Sequence, residues 1–218
     1  MIAVPRDTSM PNLTKLRPAI PVEVPYEYAD SRGRMIHIAK SYYDALDNNN
    51  GYLAPFAADC ERHENGMRTA PSGGPSLTGA VIPGQPPPGQ QPRPPGGAAG
   101  GNAPPPAALT PRLMGMQDCT SQIDSGTFIY ITRIDDRRVE LADPVTGLAL
   151  GFSHFRHEMK QKEYPIVNDP QRTSTTMSFG NGGFDLPAMH IFKIWGGQIH
   201  DIEAMGFMAP YDSPTGWE

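Results

Sequence analysis

Two side chains of opposite charge stand two residues apart in YYDALDNNNGYLAPFAADCERHENG, residues 42–66. They are Arg62 and Glu64, and in a strand residues two apart share a face. Cys60 shares that face, whereas Glu61, His63 and Asn65 fall on the other. The spacing points Arg62 and Glu64 into whatever the sheet covers and leaves Glu61, His63 and Asn65 toward water. A carboxyl group beside a guanidinium in a partly apolar pocket is a proton-transfer unit. Burial favours its neutral form and the cation its charged form, and the balance decides between acid and base. The bland alternative is a solvated ion pair that contributes little.

Other candidates lie far away in the chain. His190, in AMHIFKI, shares a strand face with Ala188, Phe192 and Ile194, as either a satisfied core group or a functional one. A two-residue turn at Gly196-Gly197 sets Glu203 opposite His190, where it can orient the ring; a bulge puts Ile202 there instead. His154 alternates with Leu150 and Phe152 and is read toward the same cavity, but His154 and His157 face opposite sides and make a poor metal pair. His63, His157 and His200 are read as surface groups. Tyr42 and Tyr43 are separated by ~100° around a helix, and Tyr42 is the candidate pocket hydroxyl. Tyr130, Phe152 and Phe192 can supply aromatic walls. SFGNGGF, residues 178–184, lacks the strand-to-helix context of a phosphate loop. No G-x-S-x-G and no Cys–His nucleophile pair is present. The expectation is activity without metal or organic cofactor.

The elements that must position these residues follow from periodicity. Apolar positions from Ser31 to Leu46 recur at helical spacing, and Asn48–Gly51 ends that helix with residues that tolerate left-handed backbone. A short helical turn is expected at 52–57, anchored by Phe56. From Gln122 the pattern turns to strands: 127–133, 137–142 after a tight turn at Asp135-Asp136, 148–157 after the turn 143–147, 188–195 and 198–207. Helices first and an antiparallel meander afterwards predict an α+β fold with helices on one face of a curved sheet. Residues 1–30 form an extended Pro-rich arm, and 31–218 a single domain interrupted at 70–112. That insertion holds 13 of the 25 prolines and 9 of the 23 glycines with no acidic residue, so it cannot fold alone. It is either a linker or a lid or strap over the cavity mouth or a neighbouring subunit.

A net charge of −5 leaves no basic footprint for nucleic acid. No apolar run is long enough for a membrane span, and no signal peptide is recognised, so a cytoplasmic protein is expected. Cys60 and Cys119 are then read as buried thiols, with a disulfide as the minority alternative. A homo-oligomer, dimer or trimer, is expected.

The order helix–helix–strand–helix–meander resembles the cone-shaped nuclear-transport-factor-2-like fold, which includes SnoaL-like cyclases, scytalone dehydratase and ketosteroid isomerase. The residues that carry the likeness are Tyr42, Phe56-Ala-Ala-Asp59 and FKIWGGQIHDIEA, 192–204. The resemblance implies a general-base carboxyl at Glu64 and an oxyanion donor at Tyr42. It puts His190 where the isomerases hold a protonated acid. DCERHENG (59–66) and PYDSPTGW (210–217) further resemble the branch of lignin diarylpropane lyases of sphingomonads. For that branch the reaction implied is loss of water from a phenolic diarylpropane to a quinone methide, then departure of the γ-hydroxymethyl group as formaldehyde to leave a stilbene. Glu64, His190 and Tyr42 would supply acid, base and donor, Arg62 would fix the carboxyl, and a small aromatic compound would be the substrate. The alternatives are a dehydratase or isomerase of another aromatic or polyketide substrate, or a non-catalytic binding module.

Overall fold

The computed structural model describes residues 14, 16–70, 117–167, 174–176 and 182–218. Helix α1 (Arg32–Asp47) starts where the Ser31 hydroxyl accepts from the Arg34 amide at 3.4 Å, a capping contact that satisfies an otherwise free helix donor. It ends at Asn49, whose φ is 49°, a backbone asparagine tolerates. Met35, Ile38, Tyr42, Tyr43 and Leu46 are buried on its inner face. The helical turn expected at 52–57 is shorter: a single 3-10 turn spans Gly51–Leu53, with Tyr52 exposed. Pro55 explains the stop, because a residue before proline is driven toward extended backbone. Phe56 then opens strand β1 (Phe56–Glu64) instead of anchoring a helix.

The sheet has seven strands. Along it run β2 (Met67–Ala70), β1, β8 (Gln198–Gly206), β7 (Phe184–Trp195), β4 (Leu148–His157) and β3 (Arg133–Asp143), and the short β9 (Ala209–Pro210) pairs with β7. β1 and β8 are parallel and the other pairs antiparallel. The architecture is α+β, with a mixed, curved, open sheet and few helices. A separate hairpin pairs β5 (Glu163–Pro165) with β6 (Ser174–Thr176). Asn65 and Gly66, both at positive φ, close the β1–β2 hairpin, as expected of an Asn-Gly turn.

Several strand boundaries differ from the sequence pattern. Residues 127–132 are turn and coil, with Phe128, Tyr130 and Ile131 buried. Asp135-Asp136 is a bulge inside β3: the pairing with β4 slips between Asp135 and Arg138, and Asp136 takes a φ of 48°. The Gly196-Gly197 turn is present, but a bulge between Lys193 and Ile194 moves the pairing, so His190 faces Ala204 and Glu203 faces Ile191. Neither Glu203 nor Ile202 stands opposite His190.

The expected wet face of β1 is covered. Glu61, His63 and Asn65 are all buried. The N-terminal arm lies over this face: Arg17 bonds Glu61 at 3.2 Å and also pairs with Asp201 and Glu203. His63 contacts Glu61 at 3.2 Å. Lys193, fully buried and pushed down to about 8 by burial, donates to the carbonyls of Val22 and Thr146, each at 2.5 Å. His200, expected on the surface, is buried and stacks on Trp195 with ring centroids 3.6 Å apart, its Nδ1 2.7 Å from Asp59.

Cys60 and Cys119 form a disulfide, correcting the expectation of free thiols. It ties β1 to helix α2 (Cys119–Asp124), which Asp118 caps through the Ser121 amide at 2.7 Å. Apart from Ala70, the insertion 70–112 lies outside the described residues. Among the described residues no helix is long and apolar enough to cross a membrane.

Candidate acid–base cavity

A cavity lies between α1, the 125–131 turn and the inner face of the sheet, with a free volume of about 50 Å³. β1 contributes Arg62 and Glu64, α1 contributes Tyr42, the turn contributes Phe128 and Tyr130, and β7 contributes His190. Phe155, Leu186, Ala188 and Ala204 make the rest of the wall mostly apolar. The free space is well below the roughly 300–1,000 Å³ of common ligand clefts.

Arg62 is held from several sides. It pairs with Glu64, donates to Oε1 of Gln122 at 2.9 Å, and lies 4.3 Å from the centroid of Phe128. Gln122 is fixed in turn by donating to the Thr69 carbonyl at 2.6 Å. Burial opposes the charge on Arg62, yet the neighbouring Glu64 carboxyl more than compensates and raises its pKa. The guanidinium is a permanent cation there. The Glu64 side chain keeps a fifth of its surface exposed and reaches the cavity.

The other groups are held neutral near pH 7. Burial pushes Tyr42 up to about 12, with Arg62 opposing, and raises Tyr130 as well. Burial, aided by the Arg62 cation, pushes His190 down to about 3. Its Nδ1 is 3.2 Å from the Tyr43 hydroxyl. Gly151, opposite His190 on β4, makes room for that hydroxyl, since a Cβ there would sit 2.5 Å from it. The array thus offers one carboxyl group, one fixed cation, two phenol donors and a neutral imidazole. That set can take a proton and stabilise charge on a nearby oxygen.

The structure brings together Tyr42, Arg62, Glu64, Tyr130 and His190, and leaves four sequence candidates elsewhere. Phe192 packs underneath as fully buried core, stacked on His190 at 5.9 Å. Phe152 and His154 point to the other side of the sheet, where His154 contacts Asp185 at 3.3 Å. Glu203 is engaged by Arg17. The faces of β4 are the reverse of the expectation because α1 packs close to the sheet. The small Ala149, Gly151 and Ser153 are buried beneath it, and the larger Leu150 and Phe152 are displaced outward.

His157, read as a surface group, is buried in the cavity wall between Tyr130, stacked at 5.7 Å, and Phe184 at 4.2 Å. Burial pushes its pKa down to about 4, although the backbone of Phe184 opposes the shift. Asn65 also borders the cavity and exchanges hydrogen bonds with both backbone groups of Gly206, each at 3.1 Å. The alternation of Phe155 and His157 with Gly151 was the available signal for the inner face. Among the described residues no group of three His, Cys, Asp or Glu side chains could hold a metal ion.

Fold and site define an α+β protein with a largely apolar cavity that holds an Arg62–Glu64 pair on the helix side of its sheet. A family model described as a domain of unknown function, DUF8021, matches residues 28–206. The chain belongs to that family. No curated protein matches it.

Proposed function

We propose that the protein is an acid–base enzyme acting on a compact, largely apolar substrate that carries a hydroxyl or carbonyl group. The observation that carries this reading is the convergence of Glu64, Tyr42, Tyr130 and His190 on one cavity, with Arg62 paired to Glu64. These residues come from four separate parts of the chain. Glu64 takes the substrate proton, and the Tyr42 and Tyr130 hydroxyls donate to the oxygen on which charge develops. Arg62 holds the Glu64 side chain in place through their ion pair. His190 acts as a neutral hydrogen-bonding group and not as an imidazolium acid, since its pKa lies near 3. The strand order, with β1 parallel to β8 in an otherwise antiparallel sheet, supports the likeness to nuclear-transport-factor-2-like proteins.

Formaldehyde-releasing cleavage of a diarylpropane is the second reading. It is favoured by the presence of a carboxyl group and phenol donors in one cavity, the groups that dehydration and C–C cleavage need. The free volume of about 50 Å³ weighs toward the compact substrate, because two aromatic rings require the cavity to open. The Cys60–Cys119 disulfide supports an oxidising compartment over the expected cytoplasm.

The test is incubation of the full chain in deuterated buffer with single-ring hydroxyketones and phenolic diarylpropane diols, followed by proton NMR and a formaldehyde assay. Proton exchange or water loss on a single-ring compound supports the first reading, and formaldehyde release the second. Saturable binding without conversion of any compound identifies a non-catalytic binding module.

A further inference from the structure

The outer face of the sheet carries a second opening, which the proposed acid–base chemistry does not use. Its volume is about 470 Å³, inside the range of small-molecule clefts. Phe152, Met205, Phe207 and Trp217 line it, and each is more than a third exposed. Single exposed apolar residues need no explanation, but four around one groove do. Trp217 is carried on a fixed segment: the Ser213 amide donates to Asp185 at 2.8 Å, and Arg156 donates to the Ser213 carbonyl at 2.7 Å.

Among the described residues that line the groove, Arg138 is the sole Lys, Arg, Asp or Glu. Arg138 stands opposite Phe152 in the β3–β4 pairing, and its guanidinium lies 3.7 Å from the centroid of the Trp217 ring. Arg62, Arg133, Arg137 and Arg156 of the same sheet region each pair with a carboxylate. Arg138 has no such partner among the described residues, and its Nε is buried without a hydrogen bond. Glu218, the acid beside Trp217, accepts instead from the amides of Thr215 and Gly216 at 2.7 and 3.1 Å. His154 is already engaged with Asp185.

We propose that this groove binds a planar aromatic carboxylate, with the anion on Arg138 and the ring against Phe152 and Trp217. A guanidinium stacks through its face and hydrogen-bonds through its edge, so the contact with Trp217 leaves the edge for a carboxylate. The apolar floor accepts the ring, and the unpaired cation selects the charge. Ala188 and Gly206 border both openings, so the groove and the acid–base cavity stand back to back across one layer of sheet. The proposal does not depend on the cavity being catalytic.

The experiment is calorimetric titration of the full chain with 2-naphthoate and with neutral 2-naphthalenemethanol. The same titrations use Arg138→Met and Trp217→Ala, with circular dichroism melts to verify folding and sedimentation to fix the assembly state. The expected result is a sub-millimolar Kd for naphthoate, at least tenfold weaker binding of the alcohol, and loss of that difference in Arg138→Met. Trp217→Ala is expected to weaken both ligands. Equal affinity for acid and alcohol, unchanged affinity in Arg138→Met, or no binding at 1 mM overturns the proposal. So does a dimer that must dissociate before naphthoate binds, since a second copy then occupies the groove.

Discussion

Arg62 donates to Oε1 of Gln122 at 2.9 Å, so the guanidinium paired with Glu64 is held by a helix that a disulfide ties to Arg62's own strand. Cys60 lies two residues before Arg62, and Cys119 three before Gln122. The covalent link and the hydrogen bond act on the same two elements. Position at the cavity therefore depends on a bond between residues 59 apart in sequence.

Removing that bond with Cys60→Ala/Cys119→Ala is expected to cost about 4 kcal/mol of stability, from the loop-closure entropy of a loop this long. A melt with and without reductant gives the same comparison on the wild-type chain. An unchanged melting temperature in both experiments contradicts the assignment.

Gln122→Leu separates positioning from covalent stapling. It keeps the disulfide but removes the acceptor from Arg62 and the donor to the Thr69 carbonyl. Leaving a buried neutral donor unsatisfied costs roughly 1–3 kcal/mol, and a charged one more. On the best substrate, kcat is expected to fall more than KM rises. Unchanged kcat in folded protein would show that Gln122 does not position Arg62.

Stability should also depend on pH through two buried histidines. His190 is pushed down to about 3 and His157 to about 4, from 6.5 in an exposed chain. Between these values the unfolded chain binds more protons than the folded one. Their contribution is complete above pH 6.5 and is lost as pH falls through about 4 and then about 3. The melting temperature should drop over this interval, and His157→Gln should flatten the upper part of the drop. A flat profile from pH 7 to 4 contradicts the burial of both rings.

Gly151→Ala tests the contact between α1 and β4. The new Cβ would lie 2.5 Å from the Tyr43 hydroxyl and 3.2 Å from Val139. Overpacking of this kind costs about 1–3 kcal/mol, and it displaces the hydroxyl that contacts His190. Thermal unfolding measures the first effect and the chemical shifts of the His190 ring the second.

The bounds of helix α1, strand β4 and the final hairpin were legible because their turn residues fall at element ends: Ser31, Asn49, Gly147 and Gly196-Gly197. Arg62, Glu64 and His190 could be set on inward strand faces because strand alternation is a local property, whereas Tyr130 reaches the cavity from a turn where a strand was expected. What failed depends on distant parts of the chain. Glu61 and His63 look solvated until Arg17 arrives from the N-terminal arm. Glu203 left the site because one bulge shifted the β7–β8 pairing. The inner and outer faces of β4 both carry apolar residues, and only the close approach of α1 selects the one with Gly151. The disulfide joins residues 59 apart, a proximity that local sequence pattern does not carry.

The most direct test of the central claim is Glu64→Gln, with turnover and thermal unfolding measured on the same preparation. Glutamine keeps the shape and part of the contact with Arg62 but cannot exchange a proton. Loss of a positioned acid–base group typically lowers the rate by about 10²–10⁴, equivalent to roughly 3–5 kcal/mol of transition-state stabilisation. On whichever panel compound the wild-type chain converts fastest, that loss is predicted in kcat with little change in melting temperature. Turnover within about threefold of wild type in folded Glu64→Gln would contradict the account and remove Glu64 from the chemistry.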